Sequence, residues 1–283
     1  MLNRINNIVN NIFIKLQKIS LNSNQIKIIA VITMIIDHVG YYFESHMQNY
    51  IYIALRIIGR VSLPLFSFLI VQGFFYTKNL KKYILRIFSV ALITQLAIFL
   101  VSILDKNSIN LSVNTQLNIL FSYTLSLIAL WVIHEKNIVK KYTYNQNMFI
   151  KIFIIFIIIG VFVFIPIDYG VYVPLFIVML YLIERLKITI YLEKQNNNMS
   201  MKKMLTSFIS EKNIKLGYFA LITIALLIII SESGNNMYWY MLFSIIPISM
   251  YNGKRGNKSK NINLAFYSIF PIHHFLLYFL SLI

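Results

Sequence analysis

The chain has 283 residues, of which 58% are hydrophobic and only 12% are charged. This composition is too apolar for a soluble protein and too rich in apolar runs for a single membrane anchor, so it predicts an all-α polytopic membrane protein. The formal net charge of +17 does not indicate nucleic-acid binding, because most lysines and arginines fall in short connections between the apolar runs. The absence of cysteine excludes disulfides, thiolate nucleophiles and cysteine-bound metals.

Residues 1–25 are the first predicted element, a basic segment on the cytoplasmic surface of the membrane. Arg4, Lys15 and Lys18 surround a short apolar stretch that lacks the long core and cleavage site of a signal peptide. The remaining residues, 26–283, are predicted to form one transmembrane domain with a cytoplasmic loop over residues 184–215.

Nine apolar runs approach the length of about 20 residues that a membrane-spanning helix needs. They cover residues 26–43, 51–76, 83–104, 115–133, 148–167, 169–183, 216–231, 237–251 and 262–283. The sequence therefore predicts about nine transmembrane helices in a multi-pass protein of the cell membrane.

The distribution of basic residues predicts the orientation of these helices. Every second connection, together with the N-terminal segment, carries the lysines and arginines, whereas Lys106 is the only basic residue in the alternate connections. The positive-inside rule then places the N-terminus in the cytoplasm and the C-terminus outside. Aromatic residues at 41–43 and 238–240 fall at the predicted outer interface, as such belts do.

Ionisable residues within the predicted helices are the strongest functional signal, because a charge at the bilayer centre costs at least about 2.5 kcal/mol. With a rise of about 1.5 Å per residue, Asp37 in the first helix, Arg60 in the second and His273 in the ninth all lie about 14–16 Å into the membrane. Arg56 shares a helix face with Arg60. We therefore expect a polar site near the midplane.

Structural explanations of these residues compete with functional ones. Asp37 and Arg60 could form an ion pair that only holds helices together, and His273 or His274 could be a buried structural histidine. Gly59 and Gly73 are expected to allow close helix approach. The other polar groups at boundaries or in loops are expected to be solvated, namely His46, His134, Glu184, Glu193, Glu211 and Glu232.

The residue pattern of the first three predicted helices resembles that of the TraX family of integral membrane proteins, which is associated with N-terminal acetylation of pilin. The matching positions are Asp37, His38, Gly40, Gly59, Arg60, Pro64, Leu65, Phe66, Gly73, Phe74, Thr77, Tyr83 and Arg86. Further matches are Asn118, Thr124, the Asp-Tyr-Gly at 168–170, Pro271 and His273. Two positions depart from the family pattern: Val173 replaces a usual glycine, and His274 adds a second imidazole.

The resemblance implies a fold and activity related to the transmembrane acyltransferases, which pass an acyl group from cytosolic acyl-CoA to an acceptor outside. It implies acetyl-CoA as acyl donor. No metal is expected, because the sequence contains no histidine cluster at metal-ligand spacing. The expected partners are the lipid bilayer and an extracytoplasmic peptide, glycan or lipid acceptor. The basic residues at the inner end of the third helix are expected to bind the CoA phosphates, namely Lys78, Lys81, Lys82 and Arg86.

We assign roles to the central residues on this basis. His38 is the first choice for the general base, since an imidazole with a reference pKa of about 6.5 accepts a proton at neutral pH. Asp37 is expected to pair with Arg60, and either Arg60 or Asn118 to stabilise the oxyanion. His273 is a second acid/base or positions the acceptor, and a histidine relay stays open. Residues expected to contact the acceptor are Arg56, Asn118, Asp168 and His274.

Two other classes of protein also explain charges inside the membrane. A proton-coupled transporter or flippase would use the same residues, although the two halves of the chain show no inverted repeat. A non-catalytic assembly factor for a surface appendage is the third possibility. The sequence does not distinguish N-acetylation from O-acetylation.

Overall fold

The structure, a computed structural model, describes residues 20–104, 116–195, 236–257 and 259–283. The regular elements of these residues are helices, and no strand occurs among them. The α-helices, in chain order, are α1 (Ser23–Tyr42), α2 (Asn49–Gly59), α3 (Ser62–Tyr76), α4 (Leu80–Leu104), α5 (Ile119–His134), α6 (Tyr144–Phe164), α7 (Tyr172–Gln195), α8 (Ile245–Ser249) and α9 (Lys260–Ser281). The described residues also form two 3₁₀ segments, Glu44–His46 and Asn236–Ser244.

The predicted all-helical class is confirmed for the described ranges. Four helical stretches there are long and apolar enough to cross a membrane: Asn49–Tyr76, Leu80–Leu104, Tyr144–Phe164 and Asn261–Ser281. The predicted total of about nine spans, and their orientation, remain predictions. The basic N-terminal residues and the seventh predicted helix, at 216–231, lie outside the described residues.

The second predicted helix is interrupted near its middle. Helix α2 ends at Gly59 and α3 begins at Ser62, so Arg60 and Val61 lie at the junction. Pro64 explains the break: it has no N–H to donate to the carbonyl of Arg60, and its ring crowds that carbonyl. The interruption thus falls at the residue that carries the buried guanidinium.

Two other predicted elements differ from the structure. Residues 237–251, predicted as a spanning helix, form mainly the 3₁₀ segment Asn236–Ser244 followed by the five-residue α8. The sixth predicted helix covers residues 169–183, whereas α7 begins at Tyr172 and continues to Gln195. The residues 184–195 of the predicted cytoplasmic loop are therefore helical.

Contacts divide the chain into two compact units, of which the first comprises Met1–Leu69 and Leu192–Asn263. Within it, α1 packs on α2, and α2 contacts the 3₁₀ segment Asn236–Ser244. Asn22 caps α1 by accepting a hydrogen bond from the backbone N–H of Gln25, whose side chain bonds back to Asn22. The backbone N–H of Leu21 donates to the carbonyl of Met250 at 2.9 Å, which ties the start of α1 to the loop after α8.

The second unit comprises Ile70–Tyr191 and Leu264–Ile283. Here α5 packs between α4 and α6. The segment before α5 is tied to the segment after α6, because the N–H of Leu117 donates to Pro166 and the N–H of Asp168 donates to Leu117, each at 2.9 Å. The core of this unit includes the fully buried side chains of Leu127, Leu130, Ile177 and Tyr181.

Candidate functional site

The carboxylate of Asp37 on α1 is shared by two arginines of the second span. Arg56 Nη1 lies 2.7 Å from Asp37 Oδ2, and Arg60 Nη2 lies 3.1 Å from Asp37 Oδ1. All three side chains are largely buried, with exposed fractions of 17% for Asp37, 20% for Arg56 and 8% for Arg60. The expected contact between Asp37 and Arg60 is present, and Arg56, expected to contact the acceptor, joins it.

Two glycines bring α1 and α2 close enough for these contacts. A Cβ atom on Gly59 would lie 2.2 Å from the Cβ of Asp37, and a Cβ on Gly40 would lie 3.2 Å from the Cδ of Arg56. A separation of 2.2 Å is far inside van der Waals contact, so position 59 accepts only glycine without movement of the helices. Gly59 allows close helix approach, as the sequence predicted.

Tyr238 completes the surroundings of Arg60. Its ring centroid lies 5.4 Å from the guanidinium carbon of Arg60, a cation–π distance. The sequence placed Tyr238 in an aromatic belt at the outer interface and did not connect it with Arg60. The regular spanning helix predicted over 237–251 would give Tyr238 a different position from the 3₁₀ segment that the structure shows there.

His38 follows Asp37 directly on α1 and is partly buried. Its Nδ1 lies 2.8 Å from the carbonyl oxygen of Met34, one helical turn earlier. Because a carbonyl only accepts hydrogen bonds, Nδ1 carries the hydrogen in the neutral ring and Nε2 carries the lone pair. The backbone thus selects the tautomer in which Nε2 can accept a proton.

His273 on α9 has the same local arrangement. Its Nδ1 lies 2.7 Å from the carbonyl oxygen of Ile269, so its Nε2 also carries the lone pair. The adjacent ring of His274 has its centroid 4.1 Å away, and both side chains are buried. The two imidazoles, for which the sequence analysis predicted different roles, are therefore in contact.

The basic residues expected to bind the CoA phosphates occupy the α3–α4 connection and the start of α4. Lys78, Lys81 and Lys82 are exposed, and the side chain of Asn79 caps α4 by accepting from the backbone N–H of Lys82 at 3.0 Å. Arg86 is exposed as well, and its guanidinium carbon lies 5.7 Å from the ring centroid of Tyr267. Gly73 allows Tyr83 to approach α3, since a Cβ there would lie 2.5 Å from the Tyr83 hydroxyl.

Asn118 has a structural position that the sequence did not anticipate. Its Oδ1 caps α5 by accepting from the N–H of Leu120 at 3.0 Å. Its Nδ2 donates at 2.9 Å both to the carbonyl of Ala91 and to Oε1 of Gln95, which ties α5 to α4. These contacts use both amide hydrogens, so they favour a structural role over the expected one in oxyanion stabilisation.

Asp168, expected to contact the acceptor, begins a tight turn after α6. Its backbone carbonyl accepts from Ser122 Oγ at 3.2 Å, which holds the turn against α5. The next two residues, Tyr169 and Gly170, have φ values of 59° and 47°. A left-handed tyrosine is uncommon, and Gly170 suits the second left-handed position at no steric cost.

Glu184 was expected to be solvated, and this prediction is wrong. It is buried, with an exposed fraction of 7%, because α7 continues past the predicted helix end and carries this carboxylate on its packed surface. His46 and His134 are exposed as predicted. His134 nevertheless makes a specific contact, since its Nδ1 lies 2.8 Å from the hydroxyl of buried Tyr181.

Sequence reasoning also missed several buried polar atoms. Buried side-chain atoms without a hydrogen-bond partner within the described ranges include Ser67 Oγ, Gln72 Nε2, Thr94 Oγ1 and Ser244 Oγ. A single polar residue in an apolar run was their only sequence signal. Buried polar atoms in proteins are normally paired, so these atoms are exceptions among the described residues.

Comparisons with known proteins agree with the resemblance seen in the first three helices. A family model described as TraX protein matches residues 22–281, from the cap of α1 to the end of α9. A relative from Dichelobacter nodosus described as probable fimbrial assembly protein FimC, serogroup H1, is 34% identical over 118 residues. The match covers 41% of this chain and 48% of the relative, so the chain spans about half of that protein's length. No solved structure matches the chain.

Proposed function

The chain belongs to the TraX family, and from that premise we propose that it is a membrane-embedded acetyltransferase. It moves an acetyl group from cytosolic acetyl-CoA to an amine or hydroxyl group presented at the extracytoplasmic side. The observation that carries this proposal is the pair of neighbours on α1: His38, whose Nε2 holds the lone pair, and Asp37, whose carboxylate is bound by two arginines. A base next to buried positive charge suits acyl transfer from a thioester.

In the proposed reaction, His38 Nε2 takes the proton of the acceptor while the acceptor attacks the thioester carbonyl carbon. The carbonyl oxygen becomes an oxyanion, and the guanidinium of Arg60 stabilises its charge. Arg60 is suited to this because Asp37 and the carbonyl of Arg56 hold its guanidinium in place. The carbon–sulfur bond then breaks, and the CoA sulfur leaves with the proton that His38 carried. No covalent acyl-enzyme is needed.

Other residues bind the substrates in this proposal. Lys78, Lys81, Lys82 and Arg86 are exposed together on one connection and the helix turn that follows, where their charges would attract the phosphates of acetyl-CoA. His273 serves as a second acid/base or positions the acceptor, and His274 contributes contact with the acceptor. A histidine relay remains an alternative to direct proton transfer by His38.

The acceptor carries an amine or a hydroxyl group. The name of the fimbrial relative makes a peptide amine of a surface-fibre subunit the first acceptor to test. Hydroxyl groups of surface glycans and lipid head groups are the alternatives. Localisation in the cell membrane with the N-terminus inside and the C-terminus outside is part of the same proposal, since donor and acceptor then occupy opposite sides.

The test is acetyl-CoA turnover by purified protein in lipid nanodiscs, with mass spectrometry of envelope fractions from cells with and without the protein. We expect one acetyl group to be added to an envelope molecule only when active protein is present. His38→Gln should reduce the addition by about 100-fold or more, and the matched control Lys140→Gln, an exposed loop variant, should leave it unchanged. Counterflow of a labelled solute without acetyl transfer would instead support a transporter.

A further inference from the structure

A basic loop, residues 250–259, joins α8 to α9 and lies against the start of α1. Three of its residues are basic and a fourth basic residue opens α9: Lys254, Arg255, Lys258 and Lys260. No aspartate or glutamate occurs in the sequence before Asp37 or after Glu232. The candidate membrane span Asn261–Ser281 begins directly after this loop. Positive charge is therefore concentrated at one end of a helix that is long enough to cross the membrane.

Hydrogen bonds hold the basic loop in one place against α1. Three backbone bonds of 2.9 Å join the two segments: the N–H of Leu21 to the carbonyl of Met250, that of Asn252 to Leu21, and that of Ser23 to Lys254. Side chains add two bonds of 2.7 Å, from Asn252 Nδ2 to Ser20 Oγ and from Asn24 Nδ2 to the carbonyl of Asn257. The loop is thus fixed at both of its ends and cannot move independently of the helix.

Two glycines give the basic loop its conformation. Gly253 and Gly256 have φ values of 75° and 83°, in the left-handed region that favours glycine. A Cβ atom on Gly256 would also lie 2.7 Å from Asn22 Oδ1, the oxygen that caps α1. The positive-inside rule accounts for the number of basic residues in a connection, but it requires no particular backbone conformation. The bonded, glycine-dependent turn therefore needs a further explanation.

The two cations between these glycines are placed where an anion can reach them. The side chains of Lys254 and Arg255 are exposed and lie outside the candidate spans. In the part of the chain that the structure describes, neither forms an ion pair with an acidic residue. Arg255 lies close enough to Lys27 of α1 for their charges to repel, and the positive end of the α1 dipole adds to this repulsion. A bound anion relieves it.

From this geometry we propose that the basic loop binds the head group of an anionic phospholipid through Lys254 and Arg255. The phosphate oxygens accept hydrogen bonds from the ammonium and guanidinium groups. A lipid is favoured over a soluble phosphate because the loop lies at the end of a candidate span, where the head groups of a bilayer lie. The site does not depend on the proposed acetyl transfer, so either can fail without the other.

The experiment measures lipid binding by native mass spectrometry of the purified full-length protein in detergent. The protein is titrated separately with dioleoylphosphatidylglycerol, with dioleoylphosphatidylcholine and with CoA, and an apparent Kd is obtained for each. All three ligands contain phosphate, but only the first is a lipid with a net negative charge. We expect phosphatidylglycerol to bind more tightly than phosphatidylcholine, and equal Kd values for the two lipids would overturn the inference.

A matched pair of double variants locates the effect. Lys254→Gln combined with Arg255→Gln should weaken phosphatidylglycerol binding by about 30-fold, since each basic residue near an anionic lipid surface contributes about fivefold. Lys140→Gln combined with Lys141→Gln removes the same charge from another exposed connection and should leave the Kd unchanged. Equal weakening in the two double variants would mean that the lipid responds only to total charge, which overturns the inference.

Gly256→Ala tests the conformation of the basic loop without changing its charge. The added methyl meets Asn22 Oδ1, so the loop must shift and phosphatidylglycerol binding should weaken. An unchanged Kd in folded Gly256→Ala would overturn the inference that the turn forms the site. If this variant does not fold, the charge variants decide alone.

The CoA titration separates the two sources of phosphate. We expect the Lys254 and Arg255 double variant to bind CoA as the unchanged protein does. A loss of CoA affinity as large as the loss for phosphatidylglycerol would assign the basic loop to a soluble phosphate and overturn the lipid site.

Discussion

Gly59 faces Asp37 so closely that a methyl group at position 59 would lie 2.2 Å from the Asp37 Cβ and 2.3 Å from its Oδ1. The glycine on α2 and the carboxylate on α1 therefore occupy one site, and the ion pairs of Asp37 depend on the absence of a side chain at position 59. The helix contact and the charge cluster are a single structural feature.

Gly59→Ala should sharply reduce the amount of folded protein, because the added methyl must displace Asp37 or separate the helices. The measurement is the fraction of monodisperse protein by fluorescence-detected size exclusion. Gly160 on α6 is the matched control, since a Cβ there meets no atom within 4 Å. Gly160→Ala should stabilise α6 by about 0.5–1 kcal/mol. Equal yields of the two variants would contradict the close contact at Gly59.

Asp37→Asn should be more damaging than Arg60→Gln, because it removes the partner of two guanidiniums at once. Breaking a buried pair costs about 3–5 kcal/mol, mostly from the charge left behind. The double replacement should recover some folded protein relative to Asp37→Asn alone. Thermal unfolding in nanodiscs provides the comparison, and a double variant no more stable than the worse single variant would argue against direct pairing.

His38→Gln should lower acetyl transfer by about 100-fold or more while the protein stays folded, because glutamine keeps a polar side chain but cannot accept the proton. Acetyl-CoA binding should largely survive. We expect His273→Gln to impair turnover and His274→Gln to be tolerated better, since His274 is an addition to the family pattern. Near-normal turnover in folded His38→Gln would remove it as the base.

Asn118→Ala should lower stability without lowering turnover per folded molecule. Loss of the α5 cap costs about 0.5–2 kcal/mol, and the side-chain bonds to Ala91 and Gln95 are lost as well, while the backbone N–H of Asn118 still donates to Gln95 Oε1. Asn118→Asp keeps a capping oxygen and should retain part of the stability. A fall in kcat of about 100-fold or more at unchanged stability would instead restore the oxyanion role to Asn118.

The orientation can be read with single cysteines, because the chain contains none. In sealed cells, His46→Cys and Lys106→Cys should react with an impermeant thiol reagent, as should Glu232→Cys. Lys140→Cys and Lys258→Cys should react only after the cells are opened. The positive-inside rule is the physical basis of this expectation. External labelling of Lys258→Cys would overturn the nine-helix topology.

The sequence alone determined the helical class, the family and the partnership of Asp37 with Arg60. Each depends on information that is local along the chain: the length of an apolar run, the fixed rise of a helix, or a string of matching residues. Because both charges lay at similar depths in adjacent apolar helices, the cost of leaving either unpaired was enough to predict their contact.

Tertiary structure decided the features that depend on how segments approach each other. Arg56 joins Asp37 because Gly40 and Gly59 set the distance between α1 and α2, and periodicity gives no measure of that distance. Glu184 is buried because α7 continues beyond its apolar run. Asn118 carries a cap and a helix tie that only the position of α4 reveals. Side-chain partners from distant segments are selected by packing, whereas helix formation needs only neighbours in sequence.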